Sequence, residues 1–368
     1  MPNPQLPPRV ALVLGGGGLK GFAHIGVLRA LEERGIRPTL VAGSSIGALI
    51  GSAYVRGLTV AQMEARAISL QKSDLFRIDH LGMVMKRMLA PSLYLEQPLQ
   101  AIVDSLAPDG TFRYLSIPLL VNTVDLERGQ SVTWGLPGFQ DVRVTDAVYA
   151  SCALPGFFPP RVIEGRTCVD GGVMQNTPAL VASRGVDAVI AVDVGSTSLT
   201  AARHVEEKGF ASIFMRSVQL MMRSQQQMQL THWDGPPMLL IRPAVWQHTW
   251  FSFASTRTII DAGYVAAREA LDKAGDTLLA AGGVYPRREV EVSVDRDRCT
   301  GCGICATLAP DVMTIGRDGK ASAAGGRLEW SRADGAFVAE CPTQAIGVEV
   351  IDGDGGRHRT MEYKVPND

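Results

Sequence analysis

Three groups of residues have the types and the spacing for chemistry. Ser45 lies in GSSIG (43–47), a G-x-S-x-G pattern after an apolar run and before a helical one. Glycines on both sides permit a sharp turn that lifts the serine hydroxyl above a sheet edge, at the positive end of the next helix. A glycine- and serine-rich helix start produces the same letters, so the motif alone is weak. GGGGLKG (15–21) also falls between a strand and a helix. Several unencumbered amides there can cradle an anion, either a nucleotide phosphate or the oxyanion of acyl transfer. A dinucleotide site needs an acid about 20 residues further on. That region holds GSSIG instead, and two glycine turns at neighbouring strand ends suit acyl transfer.

A serine nucleophile needs a base, and histidine is the usual one. His24 falls inside the first helix and reads as a packing residue. His80, His204, His232, His248 and His358 occupy no recognisable catalytic loop. Asp170, in CVDGGVMQNTP, ends a short β run and precedes Gly171 and Gly172. A carboxylate in reach of Ser45 can take its proton. From DGG alone, an ordinary turn aspartate is the preferred reading of Asp170.

The third group is Cys299-x-x-Cys302-x-x-Cys305 with a remote Cys341-Pro342. Three thiolates at that spacing on a glycine-containing loop wrap one corner of a cubane, and the remote cysteine completes four ligands. Structural zinc more often uses two separated C-x-x-C knuckles. The other two cysteines, Cys152 and Cys168, read as small buried packing residues.

These groups must be carried by alternating strands and helices. VALVL (10–14), TLVA (39–42), IPLLVNTVDL (117–126), DAVIAVDV (187–194) and MLLIRPAV (238–245) read as buried strands. Between the first two, Phe22, Ile25, Leu28 and Leu31 share one helical face that stops at Gly35. Near-continuous apolar strands alternating with helices imply a mainly parallel sheet covered on both faces. A long helix over 255–280 closes this part. From about 286 the character changes to short β runs, turn glycines and cysteines. The expected domains are therefore 1–285 and 286–368, with the boundary between Gly283 and Arg288.

Taken together, strand–GGGGLKG–helix, GSSIG, ASCALPGFFPP and VDGG resemble the patatin-like phospholipase family over roughly residues 8–280. The resemblance implies a three-layer α/β/α sandwich and hydrolysis of lipid acyl esters by a Ser–Asp dyad without histidine. It assigns Ser45 as nucleophile, Asp170 as base, and the amides of Gly16, Gly17 and Gly18 as the oxyanion hole. Lys20, Gly21, Gly43, Gly47, Gly171 and Gly172 would support those motifs. Lys20 reads equally well as a solvated lysine at a helix start. Residues 290–350 resemble a single-cluster bacterial ferredoxin, a small α+β domain. That likeness implies a [4Fe-4S] cluster on Cys299, Cys302, Cys305 and Cys341, with [3Fe-4S] as the alternative form. A redox-sensing, structural or electron-transfer role is open, the last with an electron partner. The rival to the hydrolase is a lipid-binding electron-transfer protein without turnover.

Composition narrows the classes. The 368 residues are 46% hydrophobic and 20% charged, ordinary for a globular protein with a sizeable core. The net charge of -1 offers no reason to expect a nucleic-acid partner. Eleven basic and 14 acidic residues from position 286 onward leave that part at -3 and the first at +2, mild for a dedicated electron shuttle. No apolar run approaches the ~18–20 residues of a membrane span, and no export signal is legible. The expected location is the cytoplasm, with peripheral contact at the inner membrane face open. Met215, Met221, Met222 and Met228, and the aromatic WQHTWFSF (246–253), are candidates for an acyl channel, an interface or plain core.

Overall fold

The computed structural model describes residues 5–78, 92–195, 209–250, 252–280, 282–331, 333–351 and 357–358. Within it the chain divides into two compact units: the larger runs to Gly283, and the smaller takes up the chain from Val284 and also includes Gln227–Trp233. His80, His204 and Phe251 fall outside the described residues.

The larger unit is built on a mixed, mainly parallel sheet. Its strands are β1 (Val10–Leu14), β2 (Leu40–Ser44), β3 (Leu119–Asp125), β4 (Gln130–Trp134), β5 (Arg161–Ile163), β6 (Arg166–Asp170), β7 (Ala188–Val192) and β8 (Met238–Ile241). The order runs β5-β6-β3-β2-β1-β7-β8, with β4 also paired to β3. From β3 to β8 the neighbours on this path are parallel, whereas β4, β5 and β6 add antiparallel pairs. Every residue of β1, β3, β7 and β8 is buried, as a parallel sheet covered on both faces requires.

Helices form the outer layers: α1 (Ala23–Glu33), α2 (Ile46–Val55), α3 (Val60–Ser69), α4 (Glu96–Leu106), α5 (Val144–Cys152), α6 (Phe210–Thr231) and α7 (Thr256–Ala274). The stop at Gly35 takes the Schellman form. Gly35, at φ +67°, donates to Glu32, and Ile36 donates to Leu31. Helices α1 and α7 meet through glycines. A methyl on Gly26 would overlap the Ile260 carbonyl, and one on Gly263 the Ala23 carbonyl.

In the smaller unit β9 (Val284–Tyr285) precedes a four-stranded antiparallel sheet, ordered β13-β10-β14-β15, and a separate β11–β12 pair. Its strands are β10 (Arg288–Val294), β11 (Met313–Ile315), β12 (Ala321–Ala323), β13 (Arg327–Trp330), β14 (Ile346–Ile351) and β15 (Arg357–His358), with the short helix α8 (Ile304–Leu308). The core is compact: Val290, Met313, Trp330, Phe337 and Ile346 are buried together, Trp330 standing edge-on to Phe337.

The α1–α7 crossing yields a direct test. Gly263→Leu drives a side chain into backbone that cannot move aside, and overpacking of this kind costs typically about 1–3 kcal/mol or more. Thermal unfolding should show a lowered Tm; an unchanged Tm would mean that this crossing does not set the helix spacing.

Candidate active site

Ser45 and Asp170 are joined by register. Strand β3 lies between β2 and β6, with Asn122 opposite Ser44 and Thr123 opposite Asp170. Adjacent residues of one strand thus bring the ends of two others together, and Ser45 and Asp170 line one cavity. Ser45 occupies φ +53°, ψ -128°, an uncommon region for a side chain with Cβ. The turn is that tight because Gly47 presses on β1: a methyl there would overlap the Leu14 carbonyl. Gly43 is backed onto Gly47 and Ala48 in the same turn, and Gly21 onto the Ile46 side chain.

Helix α5 holds the serine's own backbone. Ser45 N–H donates to Ser151 Oγ at 2.9 Å, and Ser151 Oγ donates to the Asn122 carbonyl at 2.7 Å. Cys152 Sγ donates to the Ser45 carbonyl at 3.2 Å and lines the same cavity. Cys152 is therefore part of the site, contrary to its reading as packing; Cys168 is buried in β6 as expected. Nothing in the letters SCALPG marked Ser151, whose partners are more than 25 residues away.

Asp170 is buried and accepts from Gly172 N–H at 2.7 Å. Burial pushes its carboxyl up to about 6, against the opposing hydrogen bonds from Ser45 and Gly172. Gly171 is pressed against Asn122, whose Nδ2 donates to the Gly171 and Gln175 carbonyls. The DGG turn is thus pinned to β3 as well.

The glycine loop departs from expectation at its first amide. Gly16 N–H donates to the Asn176 carbonyl at 3.0 Å, and Asn176 Nδ2 returns a bond to the Gly16 carbonyl at 3.0 Å. That reciprocal pair uses up the Gly16 amide, so Gly16 cannot donate to an oxyanion. Gly17 and Gly18 line the cavity with Ser45, and no other described group takes their amides. Gly18 sits at φ +57° with the Trp250 carbonyl at its back, which excludes a side chain on two grounds. Asn176 Oδ1 is buried beside this loop and has no described partner.

Two buried bases flank the loop. His24 is fully buried, its Nε2 bonded to the Gly15 carbonyl at 2.8 Å, and burial lowers its pKa to about 4. A neutral ring whose Nε2 proton is engaged in this way props the loop and does not serve Ser45. Lys20 is buried too, which overturns its reading as a solvated lysine. Burial lowers its pKa to about 8, while the charge of Asp193 works to raise it.

A cavity of about 250 Å³ opens from the serine. Ser45, Asp170, Cys152 and Asn176 stand at one part of its wall; Ile46, Leu49, Ile50 and Ala53 continue the wall along α2. At ~1.5 Å rise per residue, Ser45 to Ala53 spans roughly 12 Å. Most of the remaining lining is apolar, Phe76, Phe158, Met222 and Trp250 included. Of the methionines and aromatics singled out in the sequence, Met222 and Trp250 line this cavity. Met221 and Met228 are exposed.

In the smaller unit Cys299, Cys302, Cys305 and Cys341 all line one small cavity, with Gly301 and Gly303 between them at φ +73° and +78°. Amides of Ala321 and Ala345 donate to the sulfurs of Cys299 and Cys341 at 3.4 and 3.3 Å. Burial works to raise the Cys341 thiol, but the Ala345 amide and donors at Thr343 and Ile346 hold it below the ordinary range. Among the described residues no three Cys, His, Asp or Glu side chains converge as on a single ion. Four thiols around a cavity with amide donors fit a cluster.

Asp170 carries a pH-dependent cost. Its folded pKa is raised from 3.8 to about 6, so the folded protein binds this proton more tightly than the unfolded chain. The contribution is favourable at low pH and is lost as pH rises through that window. Asp170→Asn should be more stable than the parent at pH 8, by on the order of 2–3 kcal/mol, with the difference closing near pH 4. Thermal unfolding at both pH values checks this, and equal stabilities at pH 8 would contradict it.

Comparison with known proteins finds relatives over part of this chain. Over 218 residues the chain is 35% identical to an uncharacterized NTE family protein of Mycobacterium tuberculosis, covering 57% of this chain and 56% of that protein. It is 34% identical over 203 residues to patatin-like phospholipase domain-containing protein 6 of Homo sapiens, covering 52% of this chain and 14% of the relative. Lysophospholipase NTE1 of Mycosarcoma maydis is 35% identical over 204 residues, 53% of this chain and 10% of that one. The match to the mycobacterial relative thus spans little more than half of that protein's length. Among solved structures, VipD from Legionella pneumophila covers 72% of this chain and 67% of its own at 16% identity and a TM-score of 0.38. Residues 12–183 match the family described as patatin-like phospholipase and residues 292–348 the 4Fe-4S single cluster domain. This chain therefore carries a patatin-like phospholipase domain and a 4Fe-4S single cluster domain together.

Proposed function

We propose that this protein hydrolyses lipid acyl esters through a Ser45–Asp170 dyad, forming and then releasing an acyl-enzyme. The observation that carries the reading is the register that brings Ser45 and Asp170 together on the lining of one largely apolar cavity. Asp170 takes the hydroxyl proton as Ser45 Oγ attacks the acyl carbonyl carbon. The Gly17 and Gly18 amides hold the oxygen that becomes negative; one such donor is worth on the order of 100- to 1000-fold in rate. Collapse breaks the ester bond, and the Asp170 proton passes to the departing alkoxide. Water then attacks the acyl-enzyme, Asp170 accepts its proton and returns it to Ser45, and the fatty acid leaves. Asn176 Oδ1, buried without a described partner, is the acceptor left at the site to orient that water.

The carboxylate must be ionised to act. Because Asp170 is raised to about 6, kcat/KM should fall as pH drops through about 6. The decisive experiment is fatty-acid release from a mixed phospholipid and lysophospholipid extract by the parent and by Ser45→Ala. Release by the parent alone is expected; equal release by both would sink the hydrolase and favour lipid binding without turnover.

The cysteines of the smaller unit would hold a [4Fe-4S] cluster on Cys299, Cys302, Cys305 and Cys341, which supplies one-electron chemistry when bound. The structural contribution is the reading best supported by the packing. Cys305 belongs to the buried core of this unit, and Cys299 and Cys341 pack against it. Removing the cluster from the full chain by chelation should therefore expose residues 286–351 to protease while ester turnover by the larger unit persists. Unchanged protease resistance would argue against a structural cluster.

A further inference from the structure

Helix α2 carries the cavity away from the serine. Ser45 is its N-cap, and Ile46, Leu49, Ile50 and Ala53 line the cavity at i, i+3, i+4 and i+7, one face of the helix. Two other helices supply further wall. Met63 and Ala67 come from α3, Leu99 and Leu106 from α4.

Two arginines mark the far end. Arg56, the C-cap of α2, donates through Nη1 to the carbonyls of Asp104, Ser105 and Ala107 at 3.2, 2.9 and 3.1 Å. Arg66 of α3 donates to the same Ser105 carbonyl at 3.0 Å. The last turn of α4, whose carbonyls lack partners within the helix, is thereby fixed to the end of α2 farthest from Ser45. Arg66 and Ser105 also line the cavity, and both are exposed. Asp170 at the serine and Arg66 here are the charged residues of the lining. An apolar chain laid along α2 from Ser45 therefore runs over apolar wall as far as Ala53 and then meets a solvated guanidinium.

Length and volume agree on what fits. With C–C bonds of ~1.5 Å and bond angles near 111°, an extended chain advances roughly 1.25 Å per carbon. The roughly 12 Å from Ser45 to Ala53 thus holds about ten carbons. A cavity of ~150 Å³ takes benzene, with six carbons. By that measure the 250 Å³ here takes about ten.

We infer that this cavity seats a medium-chain acyl group, of about ten carbons or fewer, whose methyl end stops at Arg66. Ala53 and Ala67 determine that length. Both are buried, and a larger side chain at either would grow into the space of the last carbons. The inference rests on the hydrolase reading for its reaction and names the acyl group that the reading leaves open.

The test is kcat/KM for nitrophenyl butanoate, decanoate and tetradecanoate. With the parent it should rise from butanoate to decanoate and rise no further at tetradecanoate. Each methylene that gains apolar wall is worth roughly fourfold. Ala53→Leu takes the space of about three carbons and should lower the decanoate-to-butanoate ratio at least about tenfold. Ala67→Leu should do the same, and it keeps the test open if the first variant fails to fold, which thermal unfolding reveals. Arg66→Ala, with Arg56 still holding the Ser105 carbonyl, should raise tetradecanoate relative to decanoate. A parent that prefers tetradecanoate to decanoate, or folded Ala53→Leu and Ala67→Leu variants with the parent's ratio, would overturn the inference. No turnover of any ester by the parent would sink the hydrolase reading instead. Calorimetry of Ser45→Ala with free decanoic and tetradecanoic acids then decides the inference without turnover. Four further buried methylenes would tighten binding by more than about a hundredfold. Affinities within about tenfold of each other support the stop at Arg66; a larger gain for the longer acid, or no binding of decanoic acid, overturns it.

Discussion

The site depends on one close approach, that of Gly47 to the Leu14 carbonyl. With no room for a side chain between the start of α2 and the end of β1, the chain must turn sharply between β2 and α2. Ser45 then takes a backbone conformation that an unsupported serine would leave. The support is spread over distant parts of the chain: Ser151 takes the Ser45 amide, Cys152 donates to its carbonyl, and β3 anchors both Ser151 and the DGG turn. The strain at one residue is offset by hydrogen bonds from several elements.

The same packing governs protonation around the serine. A carboxylate buried at this depth is costly, and its two hydrogen bonds only partly offset that cost. The result is a carboxyl poised about a pH unit below neutrality. Burial acts on the neighbouring bases in the opposite sense. It keeps His24 neutral, so the ring supports the Gly15 carbonyl without adding a charge, and it depresses the Lys20 amine. One physical effect thus keeps an acid and two bases close to the glycine loop in separate roles.

The smaller unit solves a different problem. With only short strands and one five-residue helix, it has little apolar surface to bury. Four cysteines line one cavity, three of them in or against the core, and a cluster held there would take the place that more side chains occupy in a larger domain.

Much of this was legible in order and spacing. Apolar runs bounded by glycines identified the parallel strands and the Schellman stop at Gly35, because burial on both sheet faces and a left-handed residue leave local marks. The motifs GSSIG and DGG and the four cysteines were visible for the same reason: each needs particular residue types a few positions apart. What only the tertiary structure decided are the contacts between segments far apart in the chain. The letters GGGG offer four equivalent amides, and it took Asn176, 160 residues away, to engage the one at Gly16. Cys152 reads as a packing residue, and Ser151 carries no mark at all, until α5 is docked against the turn that holds Ser45. Lys20 reads as a solvated side chain until its surroundings bury it. Local propensity is written in neighbouring residues, whereas hydrogen-bond partners and burial depend on which strands lie side by side, and that is settled only when the sheet forms.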